Sequence, residues 1–365
     1  MQVLVIGGTG PTGPHVVNGL IDIGCTVTIL HTGAHEVDTI PSSVEHIHTN
    51  PFDVKAVREA LGSRSFDLVY AMYGRLRDLA RFFEHRCGAM VAVGGVPAYR
   101  GFALPQQNWP AGMLVPVRET AERAVNDANV KVARIVQTED AFFSSHPNGT
   151  LFRYPLIYGP GQINPREWLI VRRLLDGRRR IIVADGGLTL RTAGYGPNVA
   201  HALVLAASQP DAAAGKAYNV GDEITLTARQ TIELIAGALD CDVEIVNLPA
   251  ELATPARPFL SAETTLHKFT GVDAIRHDLG YRDPVPAPEA IGRTARYLAE
   301  NPIERGSVTE MRLQDPFDYQ AEDRLIEAYQ GLLSVVGPAA AAYDPDFRDR
   351  YAPGSDDWRL VPPRN

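Results

Sequence analysis

The sequence predicts an α/β fold built on a doubly wound parallel sheet, with a smaller α/β domain appended to it. Three observations predict this. Short, wholly apolar runs alternate with helical patterns through the first half of the chain, as strands covered on both faces by crossover helices require. A glycine-rich turn joins the first run to the first helical pattern. Beyond Gly161 the pattern becomes mixed, with short strands set between helices.

The first strand is 3–6, and it runs into Gly7-Gly-Thr-Gly-Pro-Thr-Gly13 and then an amphipathic stretch, 15–23. Gly7 permits the tight turn, Gly10 lets a pyrophosphate approach the backbone, and Gly13 lets the helix pack closely. With Pro11 and Thr12 these residues form the expected dinucleotide site, where the helix N-terminus offers free N–H groups to the phosphates. A second strand follows at 25–30, then strands at 44–48, 68–72 and 89–93. A helix over about 132–145 leads to a sixth strand, 150–154. The stretch 97–115, rich in Pro, Gly and Gln, is expected to be a long loop near the strand ends where ligands bind.

In the second half a helix, 167–175, stops at Asp176-Gly177. Strands at 181–183, 217–220 and 243–247 then alternate with helices at 198–208, 228–239 and 288–301. A last helical pattern, 319–336, precedes a tail rich in Pro and Asp, read as an arm over the body or a partner subunit. The expected organisation is a dinucleotide-binding domain at 1–160, a mixed substrate-side domain with returning segments at 161–301, and a C-terminal helical arm and tail at 302–365.

The chain has 365 residues, is 45% hydrophobic and carries a net charge of −8. The acidic balance argues against nucleic acid or an anionic membrane as partner. No apolar run approaches the ~20 residues of a membrane span. A first strand beginning almost at Met1 leaves the expectation of no signal peptide. Cys25, Cys87 and Cys241 are scattered and read as packing cysteines of a cytoplasmic protein, neither a disulfide frame nor a zinc site. His46 and His48 share a strand face by period two, with His31 and His35 nearby in sequence. Nothing in their spacing gives three or four convergent ligands, so they read as surface histidines, and no metal is expected.

Six motifs in order resemble the extended short-chain dehydrogenase/reductase family, the NAD-dependent epimerase/dehydratase group, over about residues 1–300. They are Gly7–Gly13, Asp67-Leu-Val-Tyr-Ala, Pro116-Val-Arg-Glu119, Arg153-Tyr-Pro-Leu-Ile-Tyr-Gly-Pro-Gly161, Arg191-Thr-Ala-Gly-Tyr195 with Asn198-Val-Ala200, and Tyr218-Asn-Val-Gly221. The resemblance implies a Rossmann-type sheet and a nicotinamide cofactor. It places the ribose-reading position at His31-Thr32, the adenine-contacting position at Asn50 with Phe52 beside it, and Pro155 near the nicotinamide. Neither an acid nor an arginine stands at His31-Thr32-Gly33. Without an acid there is no repulsion of a 2′-phosphate, which leans the expectation from NAD toward NADP. Arg191 matches the family's phosphate-binding arginine, and Tyr158 is expected beside it at the substrate.

The family's catalytic set is not filled. Members use a Tyr and, four residues later on one helix, a Lys that lowers the phenol pKa, with a Ser or Thr after the fifth strand. Alignment on Thr138-Glu139 and Arg153 places these roles at Lys131, Ile135 and Gly95, and no Tyr-x-x-x-Lys occurs anywhere in the chain. Three residues are candidates for the missing proton relay. Lys131 occupies the tyrosine position, and its bland alternative is a solvated lysine at a helix start. Tyr99 follows the fifth strand, and Tyr154 replaces the proline of the Arg153 block. Arg134 is placed to supply a fixed charge over the cofactor ribose, and the basic run 172–180 reads as a solvated face.

The expected function is a cytoplasmic NAD(P)-dependent oxidoreductase, epimerase or dehydratase with non-standard acid/base residues. Its substrate is a small polar molecule, anionic if Arg191 keeps its family role, and the protein is expected to be a homo-oligomer, a dimer. The alternative is a catalytically silent NAD(P)-binding redox sensor or scaffold.

Overall fold

The computed structural model describes residues 1–125 and 128–343. Within Met1–Pro316, a compact unit, the first-half strands are β1 (Gln2–Ile6), β2 (Thr26–His31), β3 (Glu45–His48), β4 (Phe66–Ala71), β5 (Cys87–Gly95) and β6 (Thr150–Tyr154). Two short strands, β7 (Leu156–Tyr158) and β9 (Ala193–Tyr195), pair with each other, as do β8 (Arg180–Ala184) and β11 (Glu244–Leu248). The remaining strand is β10 (Ala217–Asn219). The main sheet is parallel throughout, in the order β10-β6-β5-β4-β1-β2-β3. Its order reverses between β1 and β4, where such sheets open a crevice at their carboxyl edge. This is the Rossmann-type α/β fold the glycine turn and apolar runs predict.

The helices are α1 (Gly13–Asp22), α2 (Val54–Leu61), α3 (Leu76–Phe83), α4 (Val130–Ser145), α5 (Trp168–Leu175), α6 (Gly196–Ser208), α7 (Pro210–Ala213), α8 (Ala228–Ala238), α9 (Arg257–Leu260), α10 (Asp273–Leu279), α11 (Ala287–Glu300) and α12 (Val308–Met311). One face of the sheet buries Val3, Val5 and Ile29 against Val16 and Leu20 of α1 and Leu203 of α6. The other buries Leu4, Ile6 and Val69 against Val57 of α2, Phe83 of α3 and Phe142 of α4. Alternate residues of β1 thus serve opposite cores, which is the period-two geometry of a strand covered on both sides.

Two second-half segments return to the main sheet. The strand expected at 217–220 is β10, paired with β6 through Ala217 and Leu151. The helix expected at 198–208 is α6, packed on α1 so tightly that a Cβ on Gly19 would stand 2.8 Å from Val204. The β8–β11 ribbon and helices α5, α8 and α11 form the remaining cluster. The expected loop at 97–115 contains two single 3₁₀ turns, Val96–Ala98 and Pro105–Gln107.

Phe317–Asn365 forms a second unit, described through α13 (Tyr319–Ala341), whose first turn is capped by Asp318 accepting from the Ala321 N–H at 2.9 Å. The tail expected beyond residue 343 lies outside the described residues. Among the described residues no helix is long and apolar enough to cross a membrane.

Candidate functional site

The turn after β1 divides its glycines by task. Gly7 has φ +100°, and a Cβ there would lie 2.4 Å from the Tyr73 Cβ; a Cβ on Gly13 would lie 2.4 Å from the Gly8 backbone. These two are required by the turn itself, Gly13 by contact with the turn's own chain more than with the sheet. Gly10 is different: a Cβ there would meet nothing within 4 Å. Its missing side chain leaves open space beside backbone N–H groups at the start of α1, the approach a pyrophosphate needs.

At the carboxyl ends of β4 and β5 lies a cleft of about 740 Å³, lined by Gly74, Arg75, Gly95, Arg134, Ile135 and Thr138 among others. Gly95 and Ile135, two of the three unfilled family positions, therefore meet at one place. Lys131 stands one turn before Arg134 and Ile135 on the same face of α4, exposed, with its backbone N–H capped by Asn129.

Tyr99 has a different setting. It is 1% exposed, donates its hydroxyl to Asn219 Oδ1 at 2.7 Å and accepts from Arg153 Nη1 at 2.7 Å. Arg153 in turn forks onto buried Glu139, with Nε–Oε1 at 2.9 Å and Nη2–Oε2 at 2.8 Å. Asn219 completes the set, taking the Glu119 carboxylate on its N–H and giving its amide to the Val117 carbonyl. The network ties the loop after β5 to β6, β10 and α4. Burial pushes the Tyr99 phenol up to about 12 against the opposing pull of Arg153, so it stays protonated with both hydroxyl functions committed.

Tyr154, next to Gly95 in the β5–β6 register, places its hydroxyl 3.2 Å from Thr12 Oγ1, at the glycine-rich turn. Burial pushes its pKa up, with the Thr12 contact opposing. Pro155 borders the backbone of Gly194 and Gly221, 3.4 and 3.7 Å from the Cβ each would carry. Tyr158 is 2% exposed and donates to Asp222 Oδ2 at 2.6 Å, while Asp222 Oδ1 receives the Tyr195 N–H and the Asn198 amide. Its ring lines a small pocket of about 90 Å³ that also holds Leu156, Arg166, Arg191 and Ile224.

Three cations, Arg166, Arg191 and Lys268, gather at or beside that pocket. Arg191 is bridged in parallel to Lys268 and donates to the Leu260 carbonyl. Burial, and then Arg166, holds the Arg191 pKa below its usual range. Lys268 sits 4.4 Å over the Phe102 ring, and burial, followed by Arg191 and Arg166, presses it down to about 8. Burial also lowers the Arg166 pKa, against the adjacent Glu167. Glu167 is itself buried, bonded by Gln162 Nε2 at 2.9 Å. Arg166 and Arg191 line the pocket together with Glu167 and Asp222, and Lys268 adds its charge from beside Arg191. Asp222 is already committed to Tyr158, Tyr195 and Asn198, so the guanidinium groups are what the pocket offers an anion. Arg166 and Lys268 went unread in the sequence, because neither lies in a motif and Lys268 reaches Arg191 only through a pairing 77 residues apart.

At the other end of the sheet edge, Thr32 is exposed and accepts from the Ala34 N–H, and Asn50 accepts from the Phe52 N–H at 3.0 Å. Phe52 stands edge-on to Tyr73 with centroids 4.9 Å apart, both rings exposed. His31 departs from expectation: it is 4% exposed, not a surface residue. The β2–β3 register sets it beside His48, and its Nε2 lies 3.2 Å from His46 Nδ1, with Glu36 against all three rings. His35 is not part of this group.

Residues 130–221 match the NAD dependent epimerase/dehydratase family, which agrees with the resemblance carried by the motifs. No curated protein matches the chain. Among solved structures, UDP-glucose 4-epimerase from Thermotoga maritima with UDP-glucose superimposes with a TM-score of 0.64 at 16% identity, over 82% of this chain and 99% of that one. UDP-glucuronic acid 4-epimerase from Bacillus cereus in complex with NAD gives 0.63 at 14% identity, over 82% and 99%. The dTDP-glucose 4,6-dehydratase from Streptomyces venezuelae with NAD bound gives 0.60 at 19% identity, over 82% and 98%. These likenesses establish the shared fold.

Proposed function

We propose that this chain, which has the fold of nucleotide-sugar epimerases and dehydratases, is a nicotinamide-dinucleotide-dependent enzyme of that reaction type acting on a small anionic molecule. The observation that carries the reading is the convergence of Arg166 and Arg191 in the pocket, with Lys268 bridged beside Arg191, where the Asp222 carboxylate is already committed to Tyr158, Tyr195 and Asn198. Three half-buried cations are costly to hold together unless a ligand anion completes them. The dinucleotide fits the turn on this chain's own geometry, since Gly10 is open while Gly7 and Gly13 are closed. A bound nicotinamide would supply hydride transfer. The absence of an acid at the end of β2 favours NADP over NAD by a small margin.

The chain's residues then divide the work. Arg191, Arg166 and Lys268 hold the anionic end of the substrate, and Tyr158 and Asp222 brace the wall behind it. Tyr99 is a positioning residue, since its hydroxyl is committed to Arg153 and Asn219. The proton is moved by Lys131, one turn before Arg134 and Ile135 on α4, or by Tyr154 beside Thr12. A tyrosine whose pKa is raised serves as acid rather than base.

A second reading has one observation in its favour. Gly95, Lys131 and Ile135 replace all three family catalytic groups, as in a dinucleotide-binding sensor or scaffold that does no chemistry. Screening nucleotide sugars and simpler phosphorylated carbonyl compounds for cofactor reduction or oxidation separates the two. Turnover should appear, and Lys131→Met or Tyr154→Phe should lower it about 10²–10⁴-fold, the usual worth of general acid–base help. Tight dinucleotide binding with no turnover on any compound would favour the sensor.

A further inference from the structure

We propose that His31, Glu36, His46 and His48 form a zinc site at the edge of the sheet, beside the ribose-reading end of β2 and apart from the anion site. Each of the four offers one ligand atom, and all four atoms lie within 4.8 Å of one another. His31 Nε2 is 3.2 Å from His46 Nδ1; Glu36 Oε2 is 3.1 Å from His46 Nδ1, and Oε1 is 3.0 Å from His48 Nε2 and 3.8 Å from His31 Nε2. Zinc holds imidazole nitrogen and carboxylate oxygen at about 2.0–2.2 Å in a tetrahedron, whose edges are then about 3.3–3.5 Å long. The observed separations bracket that edge.

Backbone placement makes the convergence a property of the fold. His31 on β2 is the register partner of His48 on β3, and His46 pairs with Ile29 two residues earlier, so all three rings project from one face. The turn that brings Glu36 back over them contains Gly33 at φ +76°, where a Cβ would meet the His48 ring at 3.3 Å. A side chain at 33 would therefore strain the turn and push that ring out of the group.

Three neutral imidazoles and one carboxylate match the ligand preference of zinc, with four protein donors closing the coordination shell as in structural sites. Coordination through His31 Nε2 leaves Nδ1 protonated, so the long 3.4 Å approach of the Gly33 N–H to that atom is given up on loading. The ion would pin β3, the edge strand of the sheet, and the loop 32–44 to β2. Such a clip both closes a loop and protects an edge.

The test uses the full chain stripped by chelator and then titrated with zinc alone, alongside the double variant His46→Ala/His48→Ala. Both side chains are partly exposed, at 24% and 54%, so circular dichroism should show the variant folded. Wild type should take up one zinc per chain and melt at a higher temperature when loaded. The double variant should bind at least about a hundredfold more weakly. Cobalt in place of zinc should give the intense visible absorption of a tetrahedral site in wild type only. Equal zinc uptake by wild type and variant would overturn the proposal, as would none by either. Loss of NADP affinity in the variant with no zinc uptake by wild type would make the histidines a phosphate cradle instead, and would equally sink the metal site.

Discussion

Arg191 and Lys268 lie side by side across a parallel β-bridge, two cations in one half-buried setting with Arg166 acting on both. Such an arrangement makes anion binding dependent on pH in one direction. The Lys268 ammonium is pressed down to about 8 from an ordinary 10.5, so it is charged below that pH and neutral above it. Affinity for UDP, as a diphosphate probe, should fall as pH rises from about 7 through about 8, above the range, about pH 6, in which the probe's own terminal phosphate titrates. Calorimetry across that range checks it, and Lys268→Met should remove the fall at about 8, leaving only what Arg191 contributes at higher pH. An affinity that instead rises with pH would contradict the assignment of Lys268 to the anion.

The Arg153–Glu139 pair should prove structural. Both residues are nearly fully buried, at 4% and 1% exposure, and removing Arg153 leaves Glu139 only the longer contact to Arg123, at 3.5 Å. Arg153→Met is expected to cost about 3–5 kcal/mol of stability. Tyr99→Phe leaves Asn219 Oδ1 without its donor and should cost about 1–3 kcal/mol. Denaturant melts measure both. In the Tyr99→Phe protein turnover should persist within a few-fold, and its abolition in a folded variant would make Tyr99 the proton donor.

Cofactor choice should be lenient. With no acid at the end of β2, NADP is expected to bind more tightly than NAD by about tenfold or less, ~1.4 kcal/mol. Thr32 is exposed and its side chain accepts from the nearby Ala34 N–H, so Thr32→Asp should reverse the preference without disturbing His31. Calorimetry with both dinucleotides checks this, and a wild type that strongly prefers NAD would contradict the reading of that strand end.

What was legible in the sequence is what depends on local pattern. The strands of the first half follow from apolar, β-branched runs, because a strand buried on both faces needs no partner to be recognised. The short run at 217–220 was also legible as a strand, but its place beside β6 was not, since periodicity says nothing about pairing. The anion site was half legible: Arg191 stands in a motif, whereas Lys268 joins it through a bridge distant in sequence. The burial of His31 was not legible for the same reason. His31 and His48 become neighbours through the β2–β3 register, and Glu36 enters through a turn that only Gly33 shapes. Tyr99 was legible as a residue following the fifth strand, but the commitment of its hydroxyl to Asn219 and Arg153 was not, because those partners lie 120 and 54 residues away.

The most direct test of the account is dinucleotide binding by wild type and Gly10→Val, read by calorimetry with NADPH and NADH. A Cβ at Gly10 meets no protein atom within 4 Å, so the variant should melt like wild type. Its bulk would fill the space reserved for the pyrophosphate, and affinity should fall by about a hundredfold or more, ~2.8 kcal/mol. A wild type that binds neither dinucleotide, or a Gly10→Val protein that binds as tightly as wild type, would contradict the account.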